Sequence, residues 1–309
     1  MADLDDLLRK TSRTFALSIP LLPEPTRRQV TLAYLLFRIA DTFEDATAWG
    51  KAKRRRALHD FCALLEADPA SPDAEHLRDL SGAWSAEAPI DHAGYRELVV
   101  ETPAVIAAYR ELEPAARLEI GAHTCRTARG MAEYVERTAD GELELRDLQD
   151  LRDYCYVVAG IVGEMLTELF LLGRPQLAPA AEALRARSRR AGEAQQLVNI
   201  LKDSAFDATE GRTYLPPDLD RAEVFALARK DLIAAGEYVL LLQEHGAERG
   251  VVAFNALPVL LAFAALDAVE RRGPGAKISR ARVFTIKAKM DRALDRGEPV
   301  VSLPEAGWA

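Results

Sequence analysis

Twice in this sequence two aspartates stand four residues apart inside an otherwise apolar run: Asp41 and Asp45 in "RIADTFED", and Asp203 and Asp207 in "NILKDSAFD". Residues i and i+4 share one face of a helix, and a carboxylate drawn away from water is costly unless something pairs with it. The chain must therefore fold so that two apolar helices each keep a polar line and give it a partner. The first line extends backward to Arg38 and Tyr34, on a helix whose other positions are mostly Leu, Phe, Ile and Ala. The second reads Gln195, Asn199, Asp203 and Asp207, beside Val198, Ile200 and Leu201. A lone D-x-x-x-D on an acidic chain is ordinarily a solvated face. Two of them, each embedded in an apolar helix and extended by further polar residues, read as walls of a polar-mouthed cavity. Magnesium prefers oxygen ligands and typically combines a few carboxylates with waters and substrate phosphates. Arg38 is suited to hold phosphate oxygens directly.

The rest of the chain supports a helical scaffold. Helical periodicity runs almost throughout, Ala, Leu, Arg and Glu dominate, and aromatics make up only 7% of 309 residues. No alternating strand, repeat or low-complexity linker is evident, so the expectation is one all-α domain over 1–309 with its site in the bundle core. Helices are expected over 51–67, about 145–173 and about 178–207. "ADGELE" is expected as a turn, "GRTYLPPD" as a loop and "RRGPGAK" as a late break. With 49% apolar residues a sizeable core is available. The net charge of -8 argues against a general nucleic-acid binder. The basic run Lys51 to Arg56 is expected as a solvated helix face. Cys62, Cys125 and Cys155 have no metal-ligand spacing and read as free thiols in a reducing compartment. The N-terminus resembles neither a secretory signal nor a transit peptide. The apolar stretch 251–269 carries Asn255, Pro258 and Asp267 and is expected as a buried core helix rather than a membrane span. A cytoplasmic protein is the expectation.

Five stretches, in order, resemble the squalene and phytoene synthase family of head-to-head prenyl synthases. They are "SRTFALSIPLLP" from Ser12, "YLLFRIADTFED" from Tyr34, "GMAEY" at 130–134, "DYCYVVAGIVGEM" at 153–165, and "QLVNILKDSAFD" followed by "GRTYLP". The later "VVAFNALPVLLAFAAL" resembles the squalene-type end more than the phytoene-type end. The second Asp-rich motif departs from the family's N-I-x-R-D-x-x-E-D at Lys202 and Phe206 but keeps both aspartates. Tyr156 stands where the squalene-type motif often has His. Eukaryotic relatives carry a C-terminal membrane anchor, which "SLPEAGWA" does not resemble.

The resemblance implies an isoprenoid synthase-type helical bundle with a central apolar cavity. It implies Asp41 and Asp45 as ligands of Mg2+ for one diphosphate, and Asp203 and Asp207 for the other, with Asn199 in support. Ser12, Arg13, Arg38 and Arg212 would contact diphosphate oxygens. Tyr154 would serve proton transfer or cation stabilisation, and Tyr34 and Phe254 would line the carbocation pocket. From the residues alone, Ser12 and Arg13 read as a surface helix end, Phe254 as core, and Ala159, Gly160 and Gly163 beside Tyr154 as close helix packing. The implied reaction condenses two farnesyl diphosphates through presqualene diphosphate, with NADPH as hydride donor if squalene is the product. Without a G-x-G-x-x-G fingerprint, NADPH would bind by scattered contacts such as Lys277 and Arg280, for which an exposed helix start is the plainer reading. Peripheral contact with the inner face of a membrane for product release is part of the expectation. The alternatives are a phytoene, dehydrosqualene or presqualene diphosphate synthase, or a non-catalytic prenyl-lipid-binding or assembly subunit.

Overall fold

The computed structural model describes residues 3–12, 14–46, 48–67, 74–138, 143–209, 212–216 and 218–303; of residues 74, 208, 209 and 212 it describes the backbone. The described chain is all-α, as the sequence predicts, apart from one two-stranded ladder. It divides into two compact units, Met1–Ile19 with Glu24–Gly141, and Pro20–Pro23 with Glu142–Ala309.

The first unit holds α1 (Leu4–Thr11), α2 (Phe15–Ser18), α3 (Thr26–Glu44), α4 (Lys51–Glu66), α5 (Ala74–Ser85), α6 (Ala93–Val100), α7 (Thr102–Arg110) and α8 (Pro114–Arg137). Helix α3 is its axis, packed against α1, α4, α6, α7 and α8. From Val30 to Glu44 every residue of α3 is buried except Tyr34, Arg38 and Asp41. An aromatic cluster closes the C-terminal end of α3: Phe43 stacks on Trp49 at 5.7 Å and meets Trp84 at 4.8 Å and Phe61 at 6.1 Å. Burying rings of this size supplies much of a core's stabilisation.

The basic run at the start of α4 is the expected solvated face at Lys51 and Arg56, which are exposed, and departs from it at Arg54. Arg54 is buried and donates through Nη2 to the Glu44 carbonyl. Lys53 pairs with Glu87 at 2.9 Å and lies 4.3 Å from the centre of the Trp49 ring, and Lys51 donates to the Glu136 carbonyl at 2.7 Å. The physical reason is the end of α3, whose last carbonyls have no helical partner; a guanidinium reaching back satisfies one of them. Cys62 on α4 and Cys125 on α8 are buried free thiols, as is Cys155 in the second unit.

The second unit holds α9 (Leu148–Cys155), which continues through a π turn, Tyr156–Gly160, into α10 (Ile161–Leu171), then α11 (Ala181–Thr209), α12 (Arg221–Glu244), α13 (Arg249–Arg272) and α14 (Arg280–Arg296). The helix predicted over about 145–173 is thus 148–171 with one widened turn, which the apolar stretch YVVAG does not signal. Helix α11 packs on α12, α10 and α13. Its approach to the π turn and α10 is governed by two glycines. A Cβ on Gly163 would run into the Ser188 carbonyl, and one on Gly192 into the Ala159 carbonyl. Helix α13 runs through Pro258 and ends at Gly273, whose φ of 85° suits a residue without a Cβ. Two stretches, Leu148–Leu171 and Arg249–Arg272, are long and apolar enough to cross a membrane, yet 50% and 61% of their apolar windows lie inside the protein.

The ladder is parallel, pairing Leu143 with Arg212 and Glu144 with Thr213. It lies within the segments predicted as turn and loop, and two-residue strands are too short to show alternation. Its effect is to tie the segment before α9 to the segment after α11.

Gly192→Leu and Gly163→Leu each insert a side chain where two backbones meet. Overpacking of this kind costs roughly 1–3 kcal/mol, or about 2–4 °C of Tm per kcal/mol in a chain of this size. The expected result is a drop of about 2–12 °C in circular-dichroism melting. An unchanged midpoint would contradict the close approach.

Candidate active site

On α3 the predicted polar line is the only part of Val30–Glu44 that is not buried. Tyr34 donates to the Thr11 carbonyl at 2.7 Å, which fixes its ring. Arg38 donates from Nε to the Tyr34 hydroxyl at 3.3 Å and pairs through Nη1 with Asp41 Oδ2 at 3.1 Å. Its guanidinium lies 5.6 Å from the Tyr34 ring centre and 5.2 Å from that of Tyr95 on α6. Tyr95 is a site residue the sequence reading missed. Burial pushes the Asp41 carboxyl up to about 6; Arg38 opposes the rise and Asp45 adds to it. Asp41 is therefore held charged near neutrality against its surroundings, and a nearby divalent cation would relieve that cost. Burial also disfavours the Arg38 charge, but Asp41, Tyr34 and Tyr95 outweigh it and hold the guanidinium cationic.

Ser12 ends α1, and its Oγ accepts from Phe15 N at 3.0 Å, capping the next turn. Phe15 in turn meets Tyr34 at 5.6 Å. Arg13 lies outside the described residues.

On α11, Asn199 is exposed, while Gln195, Asp203 and Asp207 are half-buried. Lys202 Nζ donates to Asn199 Oδ1 at 3.1 Å and sits 3.2 Å from Asp203 Oδ2. The lysine thus places its charge on the same polar line. Gln195 Nε2 is buried with no hydrogen-bond partner among the described residues. The turn after α13 docks here, with Gly275 N donating to the Lys202 carbonyl at 2.7 Å. The side chain of Arg212 lies outside the described residues; its backbone forms the ladder that precedes Tyr214.

Tyr154 and Tyr214 are both buried. Their hydroxyls are 3.2 Å apart and their rings stack at 5.1 Å. Tyr214 was not singled out from the sequence, although it sits inside the quoted GRTYLP. Phe254 is buried and meets Phe170 edge-on at 5.9 Å. Lys277 and Arg280 are exposed on either side of Ser279, whose Oγ accepts from Arg282 N and caps α14.

Among the described residues no three or more His, Cys, Asp or Glu side chains converge on one point. Among the described residues each aspartate pair offers a cation two carboxylates. That donor set, all oxygen and incomplete, fits Mg2+, which fills its remaining positions with water and substrate phosphate. Asp41 and Asp45 would hold one such ion, and Asp203 and Asp207 another.

An all-α chain with two D-x-x-x-D lines, one beside Arg38 and the other beside Lys202, is chemically suited to handling a diphosphate. The comparisons identify the family. The family model for squalene/phytoene synthase matches residues 8–222. A squalene synthase from Eremothecium gossypii is 28% identical over 284 residues, covering 85% of this chain and 60% of the relative. One from Mycosarcoma maydis is 32% identical over 219 residues, covering 70% of this chain and 35% of the relative. By these coverages the chain spans about half the length of the curated relatives it matches. Two solved structures of TcSQS, each with a bound ligand, share the fold with TM-scores of 0.70 and 0.71. Their identities are 24% and 25%, over 95% of this chain and 89% and 88% of theirs. The chain belongs to the squalene/phytoene synthase family.

Proposed function

We propose that this chain is a single functional isoprenoid synthase domain over 1–309 that condenses two farnesyl diphosphates head-to-head through presqualene diphosphate, in the manner of a squalene synthase. The observation that carries the reading is the one open line on the otherwise buried stretch Val30–Glu44 of α3, where Tyr34, Arg38 and Asp41 lead to Asp45 at the helix end. The names of the curated relatives and the squalene-type resemblance of α13 favour the C15 substrate.

In this reading Asp41 and Asp45 serve one diphosphate, and Asp203, Asp207 and Asn199 serve the other. When bound, Mg2+ supplies positive charge that neutralises the departing diphosphate as its C–O bond breaks. Arg38, held in plane by Tyr34 and Asp41, offers N–H donors to phosphate oxygens. Lys202 places a second fixed charge beside Asp203, where the family pattern has arginine. The first condensation breaks one C–O bond, closes a cyclopropane and releases one diphosphate and one proton. The Tyr154 hydroxyl, oriented by Tyr214, is the proposed acceptor or relay for that proton. Tyr34 and Phe254 present aromatic faces to the carbocations. The second ionisation releases the other diphosphate, and a hydride then gives squalene.

NADPH is the proposed hydride donor. Lys277 and Arg280 fit it by charge alone, since both are solvated and the helix start beside them is capped by its own serine; no step is derived through them. Changing both to Ala is expected to raise the NADPH concentration for half-maximal squalene formation about fivefold to thirtyfold, taking roughly 0.5–1 kcal/mol per exposed charge. An unchanged value would remove them from the cofactor's path. We further propose a cytoplasmic protein that meets the membrane surface peripherally to pass on its apolar product.

The deciding experiment supplies farnesyl or geranylgeranyl diphosphate with Mg2+, with and without NADPH, and identifies products by mass. Squalene with NADPH, and presqualene diphosphate or dehydro and hydroxylated C30 species without it, supports the reading. Identical products in both conditions would move the chain to a dehydrosqualene or presqualene diphosphate synthase, and preference for the C20 substrate to a phytoene synthase. No diphosphate release from either substrate would leave the non-catalytic binding subunit.

A further inference from the structure

The mechanism above uses Arg38, and Arg38 is held by more than its own helix. Its two edges are taken in part by Tyr34 and Asp41. Its guanidinium carbon also lies over two phenol rings, 5.6 Å from the centre of Tyr34 and 5.2 Å from that of Tyr95. Nη2 has no hydrogen-bond partner among the described residues, so one edge of the fork remains to donate. A guanidinium placed over aromatic faces loses little of its donor capacity, because rings attract it through their π faces and leave the N–H edge unused.

The Tyr95 ring is itself fixed by three neighbouring residues of "DHAGYRE". His92 caps α6, its Nδ1 accepting from Tyr95 N at 3.3 Å, and its ring lies 4.0 Å from that of Tyr95 at 31°. Gly94 sits under α1, where a Cβ would come within 2.6 Å of the Lys10 carbonyl. Lys10 Nζ then closes on Glu97 at 2.7 Å. The cap sets the first turn of α6, the glycine sets its distance from α1, and together they place the Tyr95 ring beneath the Arg38 guanidinium. The Tyr95 hydroxyl has no hydrogen-bond partner among the described residues, so the ring face, rather than the hydroxyl, makes the contact.

We propose that Tyr95, backed by His92, is a positioning residue: its ring supports the Arg38 guanidinium and so aims the open Nη2 edge of that side chain at the phosphate bound beside Asp41 and Asp45. The proposal rests on the diphosphate-binding reading of this line, but the stacking itself does not depend on it. Neither residue carries any signal in the sequence that points to α3, because the contact joins two helices far apart in the chain.

Two readouts keep the proposal and that reading apart. The first is the Arg38 Nε–Hε resonance of the metal-free protein, assigned by its loss in Arg38→Lys. Tyr95→Leu should remove the ring-current shift, while Tyr95→Phe keeps it. The second is calorimetric binding of inorganic pyrophosphate with Mg2+. Loss of one aromatic face is expected to weaken it about tenfold in Tyr95→Leu, with Tyr95→Phe within about twofold of wild type. His92→Asn keeps a good helix cap on an exposed residue and removes only the stacked ring. It serves if Tyr95→Leu fails to fold, and it should weaken binding about twofold to threefold, at the low end of exposed ring contacts. An unshifted Arg38 resonance in Tyr95→Leu, or in His92→Asn where that variant stands in, would overturn the proposal. So would equal damage from Tyr95→Phe and Tyr95→Leu. Shifts as expected in a wild-type protein that binds no pyrophosphate would uphold the positioning and reject the diphosphate reading.

Discussion

Asp41→Asn and Asp203→Asn, made singly, are each expected to lower diphosphate release from farnesyl diphosphate by about 100-fold to 1,000-fold, the range for loss of one preorganised group that stabilises developing charge. The amide keeps the size and one acceptor oxygen of the carboxylate but removes its charge, so the change is aimed at the cation. Far-ultraviolet circular dichroism should be unchanged. For Asp41 the melting midpoint without metal should not fall, because burial already disfavours its charged form. Adding Mg2+ with pyrophosphate should raise the midpoint of the wild type by mass action, and each variant should show less of that rise. Near-normal turnover in both variants would remove the aspartate lines from the mechanism.

The second large effect is expected at Tyr154. Tyr154→Phe keeps the ring stacked on Tyr214 and removes the hydroxyl that meets Tyr214 at 3.2 Å. If that hydroxyl relays the proton of the first condensation, kcat should fall about 100-fold, the lower range for a positioned acid or base, with little change in the binding of farnesyl diphosphate. Loss confined to kcat marks an interaction made in the transition state. Tyr214→Phe should fall in the same direction by less, since it orients the hydroxyl without supplying it. A raised KM with normal kcat in Tyr154→Phe would place the residue in substrate binding alone.

What the sequence disclosed follows from the range of the forces involved. Helical periodicity reports which face of a helix is covered, and on α3 the predicted line of Tyr34, Arg38 and Asp41 is the line left open. Helix ends came within a few residues, because prolines and glycines punctuate them locally. Contacts between distant segments left no periodic trace. Tyr95 reaches Arg38 from another helix, and Tyr214 reaches Tyr154 across 60 positions. The parallel ladder is two residues long, so no alternation could mark it. Arg54 looked like one more solvated charge in a basic run; its burial goes with its donation to the Glu44 carbonyl at the end of α3, a contact that becomes visible only when α3 and α4 are side by side. Gly163 was legible as close packing and its partner Gly192 was not; the backbone carbonyls that the two clear supply the reason.

The central claim is a metal-dependent head-to-head condensation, and counting its products tests it most directly. Wild-type protein is incubated with farnesyl diphosphate, with Mg2+ or with a chelator in its place, and the organic products and released diphosphate are quantified together. The account expects C30 products carrying the cyclopropyl or 1–1′ linkage, with diphosphate released in proportion and neither formed under chelation. Farnesol alone, a head-to-tail product, or C30 formation unaffected by the chelator would contradict it.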